Sequence, residues 1–398
     1  MAFTEGLLNF ILTYKWVLLF YLLIAVIIIL NKKKFQVESG FIFLYRTDFG
    51  IRWINKFADK HKEFVKIVGN SAIGVGFLGM IIISGYIIKG MYELLFVPLA
   101  PPTMSLVIPG IQIPGSPIFI PFWYGIIALF IVVVFHEFGH GIVARANGLK
   151  IKNTGIVFFG PLIGAFVEPD EKNLVKKDSV VQQSIFASGP FFNGILAVFA
   201  AILLLLVLNP ITSTMVTETG ISFNQLQEGY PAQKYGIEQN VPYTTLNGIP
   251  IKNSQYLTEQ LSCVKPNETI TIGNANKTIT LITAPNPKDS TKGYIGIYGI
   301  TDNYELKSQV WWYKGIYYIL YFLINLTELV VVLSLGIGLA NLLPLGPVDG
   351  GRMLHKALIN TNGKDKGIKI WLTISLITLA LILILIFAPI IKSIFFKM

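Results

Sequence analysis

Long apolar runs separated by short polar connections dominate this chain. A helix needs roughly 20 apolar residues to cross a bilayer. Six segments have about this length, at residues 7–30, 67–88, 121–146, 185–208, 316–347 and 370–391. The first is followed by NKKK and not by a small-residue cleavage site, which favours a membrane anchor over a cleaved signal peptide. The pattern therefore predicts a polytopic α-helical membrane protein with about six transmembrane helices.

Residues 211–306 follow a different pattern, rich in Thr, Asn, Gln and Gly. Alternating runs such as TITIGNANKTITLITA are typical of β-strands. The Asn247-Gly248 pair stands between YTTL and IPI, which is a hairpin-turn signal. This segment is predicted to be a small soluble domain with β-hairpins, inserted between the fourth and fifth spans.

The composition excludes a soluble protein of this length. Hydrophobic residues make up 53% of the 398 residues and charged residues only 14%, whereas soluble domains carry about 25% charged residues. The formal charge of +10 is one possible sign of nucleic-acid binding, but the positions of the charges explain it better. The lone cysteine, Cys263, excludes an intramolecular disulfide and is predicted to be a buried thiol.

Basic residues concentrate in alternate loops. Residues 31–66 hold nine Lys and Arg, residues 145–183 hold six and residues 352–369 hold five, while residues 97–120 hold none. Short basic loops remain in the cytosol. We therefore expect a multi-pass protein of the cell membrane with both termini and the soluble domain outside, and no nucleic-acid partner.

The first basic loop also carries aromatic and apolar residues, in FIFLYRTDFGIRWINKF. This mixture is typical of an amphipathic hairpin or helix that lies on the inner leaflet. An ordinary cytosolic connector fits residues 31–66 equally well.

The third span ends in HEFGH, residues 136–140. On a helix, His136 and His140 share one face and can direct their ring nitrogens at one ion, with Glu137 within reach of a water on it. Ionisable residues in an apolar helix are expensive and usually functional. The motif thus favours a zinc-protease arrangement over a structural hydrogen-bonded cluster.

A third ligand is expected from NLLPLGPVDGGR, residues 341–352, which ends the fifth span. Asp349 is the only acid near that membrane end, and Pro344 and Pro347 break the helix before it. Both motifs are predicted to lie toward the cytosolic side. Ligation by Asp349 is favoured over a helix-capping role and over ligation by His355.

HEFGH followed by NLLPLGPVDGG, with SGPFFN at residues 188–193 between them, resembles the site-2 protease family of intramembrane zinc metalloproteases. The resemblance covers roughly residues 120–210 and 312–362. It implies that one Zn²⁺ per chain is bound by His136, His140 and Asp349.

The same resemblance implies the remaining roles in the site. Glu137 would activate the zinc-bound water as general base. Asn341 would lie near the substrate backbone, where it could donate to the oxyanion or cap the broken helix, and Asn193 of SGPFFN is also predicted to bind substrate.

Residues 154–168, TGIVFFGPLIGAFVE, are too short to span and are broken by Gly160, Pro161 and Gly164. We predict a re-entrant β-hairpin whose free edge pairs with an unwound substrate strand. The alternative is a shallow amphipathic loop. The predicted substrate-binding residues of the hairpin are Ile156, Val157, Phe158 and Phe159.

In the soluble domain, EGYPAQKYGIEQNVPYTTLNGIPI at residues 228–251 resembles the PDZ domains inserted in many site-2 proteases. It departs from them at Asn240 and Val241, where Gly-Asp is usual. The fold expected is a small α/β PDZ-like domain, and binding of a peptide C-terminus and a passive size filter stay equally open.

These features predict an intramembrane zinc metalloendopeptidase that acts on transmembrane protein substrates in regulated intramembrane proteolysis. A metal transporter or an inactive substrate-binding protein could use the same His/Asp site. The predicted regions are an N-terminal membrane region at 1–119, the catalytic core in two parts at 120–210 and 307–362, the PDZ-like domain at 211–306 and a C-terminal span at 363–398.

Overall fold

The computed structural model describes residues 11–38, 42–97, 102–113, 116, 118–159, 162–287 and 289–395. The chain divides into two compact units. The membrane unit comprises Met1–Leu204 and Ile324–Met398, and the inserted unit comprises Leu205–Leu323. The predicted soluble domain at 211–306 thus falls within the inserted unit.

The chain contains both helices and strands. The helices are α1 Lys15–Leu30, α2 Ile51–Lys60, α3 Lys62–Phe96, α4 Phe122–Ala146, α5 Glu171–Leu174, α6 Ser179–Leu203, α7 Asn209–Thr214, α8 Pro231–Lys234, α9 Ser254–Ser262, α10 Trp311–Asn341, α11 Asp349–Asn362 and α12 Lys364–Phe395. The strands are β1 Phe35–Glu38, β2 Ile42–Thr47, β3 Ile151–Phe159, β4 Leu162–Pro169, β5 Val216–Leu226, β6 Thr245–Leu246, β7 Ile249–Pro250, β8 Thr269–Gly273, β9 Thr278–Ile282, β10 Ala284–Pro285, β11 Gly293–Tyr294 and β12 Ile297–Leu306.

Five described helices are long and apolar enough to cross a membrane. They are Lys62–Phe96, Phe122–Ala146, Ser179–Thr214, Trp311–Asn341 and Lys364–Ile391. The prediction of a polytopic helical membrane protein is confirmed. The sixth predicted span, residues 7–30, is described only from residue 11 and contains the 16-residue helix α1, so the count of six stays a prediction.

Two of the three loops predicted to be cytosolic, residues 31–66 and 145–183, meet in one antiparallel sheet of order β1-β2-β3-β4. β3 and β4 form the predicted hairpin, with Val157 opposite Gly164; Gly160 and Pro161 lie outside the described residues. β1 and β2 form a second hairpin, and β2 pairs with β3. Since paired strands share one location, both loops lie on the same side of any membrane.

Residues 31–66 therefore form both a hairpin and a helix, not a plain connector. After β2, Gly50 takes a left-handed φ of 85° that favours glycine, and α2 follows. Helix α2 buries Ile54 and Ala58 and exposes Lys56 and Lys60, which is the pattern of an amphipathic helix.

Small residues allow α4 and α6 to approach closely. A methyl group added at Gly139 of α4 would lie 2.8 Å from the carbonyl oxygen of Ser188 on α6. Membrane helices depend on such contacts because lipid supplies no hydrophobic force between them. The close approach brings the HEFGH and SGPFFN segments together.

The inserted unit has a core of large side chains, in which the Phe223 and Tyr243 rings stack at 5.5 Å. Its strands form the pair β5–β12, the pair β10–β11 and a sheet of order β7-β6-β8-β9. Asn247 and Gly248 take φ values of 50° and 76° between β6 and β7, which confirms the predicted hairpin turn. The prediction that Cys263 is buried is wrong, because it follows α9 on the surface and is exposed.

Candidate metal centre

Two histidines and one aspartate converge in the membrane unit. His136 and His140 lie one turn apart on α4, and Asp349 is the first residue of α11. Asp349 Oδ2 lies 3.1 Å from His136 Nε2 and 3.3 Å from His140 Nε2, and the two Nε2 atoms are 3.2 Å apart. These three side chains could together hold a metal ion.

The loop before α11 delivers Asp349 to the histidines. Helix α10 ends at Asn341, and residues 342–348 are not helical, as the prolines predict. A methyl group at Gly350 would lie 2.3 Å from the carbonyl oxygen of Leu342. The loop passes so close to the start of α11 that position 350 requires glycine. The same close packing leaves Asp349 only 8% exposed.

A hydrogen bond fixes the orientation of His140. Its Nδ1 lies 2.6 Å from the main-chain carbonyl oxygen of Ile185 on α6. A carbonyl oxygen only accepts, so Nδ1 carries the proton and donates it. In a neutral imidazole, Nε2 then presents its lone pair to the cluster, as a metal ligand must.

The cluster leaves space for an ion on its α6 side. Gly189 has no side chain on that side. A methyl group at this position would fill the space, because it would lie 2.3 Å from His140 Nε2 and 2.6 Å from His136 Nε2. A tetrahedral zinc with ligands at 2.0–2.1 Å separates its donors by about 3.3 Å, and the three separations here are close to that. Two imidazole nitrogens and a carboxylate, with one position left open, are the donor set of a catalytic zinc site. The residues fit the metal.

Glu137 stands beside the three candidate ligands without joining them. Its Oε2 accepts a hydrogen bond of 3.0 Å from the backbone N–H of Val167 on β4. The edge of the sheet thus orients this carboxylate. Helix α4 and β4 pack side by side there, since a methyl group at Gly141 would touch Val167 at 3.0 Å.

A cavity of about 380 Å³ opens beside these groups. Its lining includes all three candidate ligands and Glu137, with side chains from β1, β2, β4, α6 and α11. Arg352 of α11 lies over the Phe186 ring of α6 at 4.3 Å, and both residues line the cavity. The cavity gives access to the candidate metal ligands.

Arg46 links the two hairpins across this wall. Its Nε donates to Glu168 Oε2 of β4 at 3.1 Å, and its Nη2 lies 3.5 Å from Glu38 Oε1 of β1. Arg46 is the strand partner of Gly155 on β3, and its side chain crosses β3 at that residue. Burial alone would raise the pKa of the Glu168 carboxyl, but hydrogen bonds from Asn153 and Arg46 outweigh burial and lower it. Glu168 is therefore a carboxylate at neutral pH.

The structure separates the predicted substrate-binding residues into different environments. Asn341 lines the cavity, and its Nδ2 donates to the Ile337 carbonyl oxygen at 3.1 Å, as a helix-end residue does. Asn193 is fully buried behind His136 and is absent from the cavity lining. Binding of substrate by Asn193 stays a prediction.

The edge-strand prediction needs a correction. Residues 156–159 lie on β3, whose two backbone edges are taken by β2 and β4. They have no free backbone edge, because the N-terminal hairpin covers the side that the sequence left open. Among the described residues, β4 has one strand partner and is the edge strand of this hairpin, while β1 forms the other edge of the sheet. Contact between substrate and the side chains of Ile156, Val157, Phe158 and Phe159 stays a prediction.

Sequence reasoning missed several groups of the site. Gly189 stood inside SGPFFN, and its spacing from HEFGH gave no sign that it faces both histidines. The Ile185 carbonyl and the Val167 N–H are main-chain groups, which carry no sequence signal. His355, weighed as a ligand, instead packs against Trp371 with ring centroids 4.6 Å apart.

Comparison with known proteins identifies a family and a relative of this chain. A family model described as Peptidase family M50 matches residues 124–385, which is more than half of the chain. An uncharacterized protein of Methanocaldococcus jannaschii is 27% identical over 347 residues, covering 85% of this chain and 84% of that protein. The residues matched by the family model include the whole candidate metal centre and the β3–β4 hairpin, but not β1 and β2.

Proposed function

The chain belongs to peptidase family M50, and from that premise we propose that it is an intramembrane zinc metalloendopeptidase of the site-2 protease type. Its substrates are membrane proteins, cut within or near a transmembrane segment in regulated intramembrane proteolysis. The observation that carries the proposal is the placement of Glu137, which is held by the edge of a sheet beside a His–His–Asp group that fits zinc.

His136, His140 and Asp349 hold one Zn²⁺ per chain in this proposal. Bound there, zinc would lower the pKa of a water molecule and polarise the scissile carbonyl. The three side chains are at most partly exposed, so they keep the site largely out of bulk water. Low exposure also strengthens the electrostatic interactions among them.

Glu137 is the general base. Its Oε2 is turned toward β4 by the Val167 N–H, and its second carboxylate oxygen takes a proton from the attacking water. It returns that proton to the amine that leaves. The carboxylate adjoins the ligand His136 in sequence, so the transfer needs no movement of the helix.

The edge strand β4 receives the substrate. A transmembrane helix shields its carbonyls by internal hydrogen bonds, so cleavage requires a locally extended segment. The Val167 N–H points away from β3, and hydrogen-bonding groups alternate along a strand. The N–H groups of Ala165 and Ile163 therefore point outward as well and can pair with a substrate strand.

Asn341 acts at the other side of the cavity. One of its two amide protons is donated to the Ile337 carbonyl, which leaves the second for the substrate backbone or the oxyanion. Asn341 can thus cap the end of α10 and contact the substrate at the same time, so the two roles considered from the sequence are compatible.

We further propose that the inserted unit contains a PDZ-like domain and that it lies outside the cell membrane, with both termini. Asn240 supports the PDZ assignment, because its left-handed φ of 59° is a conformation that the usual glycine would take. Exposed Cys263 is a natural reporter of the orientation. An impermeant thiol reagent should label Cys263 in intact cells. Labelling only after permeabilisation would show that the inserted unit lies inside the cell, contrary to this proposal.

The central test uses the purified full-length chain in detergent. Its zinc content is measured together with cleavage of a model transmembrane protein. Glu137→Gln keeps an acceptor for the Val167 N–H and should keep zinc, while turnover falls by about 10²–10⁴-fold. His140→Ala should lose both zinc and turnover.

Either of two results would contradict the proposal. Normal cleavage by Glu137→Gln would remove the general base from the mechanism. Zinc uptake into sealed vesicles without any proteolysis would favour a metal transporter at the same site.

A further inference from the structure

Asn193 occupies an unusual place for a polar side chain. It lies on α6, is 0% exposed and is separated from the cavity by His136. Its Nδ2 lies 3.2 Å from His136 Nδ1. Its Oδ1 is buried and has no hydrogen-bond partner among the described residues. A buried acceptor without a donor is costly.

This orientation of the amide conflicts with metal binding. If Asn193 Nδ2 donates to His136 Nδ1, the proton of the neutral imidazole must be on Nε2. That nitrogen faces Asp349 and His140. A proton there excludes a metal ion from the lone pair that would bind it.

Turning the amide by 180° about its last side-chain bond exchanges the places of Oδ1 and Nδ2 and removes the conflict with metal binding. The two ends of an asparagine amide have almost the same shape, so their assignment follows from hydrogen bonds. Once turned, Oδ1 accepts a proton from His136 Nδ1 and is no longer without a donor. His136 Nε2 then directs its lone pair at the same point as His140 Nε2.

We infer that Asn193 is a positioning residue, whose side-chain carbonyl accepts the Nδ1 proton of His136 and holds Nε2 as a metal ligand. The inference rests on the proposed metal site and gives the two histidines parallel supports. The Ile185 carbonyl performs this task for His140 at 2.6 Å. Both supports come from α6, so one helix orients both rings.

The choice of an amide suits the charge of the site. Asp349 already supplies one buried carboxylate and Glu137 a second carboxylate nearby. A neutral acceptor at position 193 orients the ring without burying another charge, which would be costly without a partner. Gly338 on α10 gives the amide room, because a methyl group there would lie 3.3 Å from Asn193 Cβ.

The test measures zinc affinity by chelator competition, with the full-length chain in detergent and no substrate present. Asn193→Leu has nearly the same size and no acceptor, and it should bind zinc about 10–100-fold more weakly than the wild type. Asn193→Asp keeps an oxygen at the same place and should bind zinc at least as tightly as the wild type. Asn147→Leu makes the same change at the end of α4, where the amide donates to the Val143 carbonyl oxygen outside the cavity lining, and serves as the matched control, with wild-type affinity.

The outcomes separate this inference from the proposed function. Failure of the wild type to bind zinc would overturn the proposed function itself. Wild-type zinc affinity in Asn193→Leu, with zinc binding intact in the unmodified chain, would overturn only the positioning role. An equal loss in Asn193→Leu and Asn193→Asp would also overturn it, because it would mean that position 193 matters for packing and not as an acceptor.

Discussion

The metal centre and the sheet beside it are built in opposite ways. The centre takes its groups from one helix turn and from the start of another helix, and all of them lie within the residues matched by the family model. The sheet joins two hairpins from distant parts of the chain, and β1 and β2 lie outside that match. In the proposed function, hydrolytic chemistry belongs to the centre and contact with substrate to the sheet, so mutation should separate the two.

The largest effect is expected from Gly189→Ala in the centre. Its new methyl group would lie 2.3 Å from His140 Nε2, where no real Cβ contact is found, so the ligands must move apart. Zinc content and cleavage should both fall below detection. Gly194→Ala on the same helix is the matched control, because a methyl group there meets nothing within 4 Å. Full zinc content in Gly189→Ala would show that the ion does not lie on this side of the histidines.

A smaller effect is expected from the edge strand. Ala165→Pro removes one outward N–H and leaves the ladder to β3 intact, as edge strands tolerate. Loss of one net hydrogen bond of about 0.5–1.5 kcal/mol corresponds to about a 2- to 10-fold lower kcat/KM. Zinc content should not change. Ala165→Val keeps the N–H and should cleave normally.

The comparison between the centre and the sheet depends on whether metal binding and substrate contact can be changed separately. If Ala165→Pro loses zinc together with activity, the sheet supports the metal centre and the two parts are not independent. If Ala165→Val is as slow as Ala165→Pro, the side chain and not the backbone limits cleavage.

The smallest effect is expected from Arg46→Met, which removes the link between the N-terminal hairpin and β4. Partly exposed ion pairs contribute about 0.2–1 kcal/mol, so KM for a membrane protein substrate should rise by at most about fivefold. Zinc content and kcat should stay at the wild-type values. Lys66→Met removes a pair with Glu63 on the surface of α3 and should change neither constant. A larger fall in kcat than rise in KM would place Arg46 in the chemistry.

The helical period explains why the centre could be predicted. His136, Glu137 and His140 needed only the spacing of one helix, and Asp349 stood out as the one acid near a broken membrane helix. The β3–β4 hairpin was predictable because its length and turn residues are local. The partner of β3 was not, because pairing of β2 with β3 joins residues more than 100 positions apart. The burial of Asn193 likewise depends on how α6 meets α4, for which a single sequence offers no signal.

The bond between Val167 and Glu137 has a consequence for how this protein can diverge. Its donor is a main-chain N–H, which every residue except proline supplies in the same place. Side chains along β4 can therefore change without loss of the group that orients Glu137, the proposed base. If the hairpin binds substrate as proposed, substrate choice can evolve there without a change in the acid–base step.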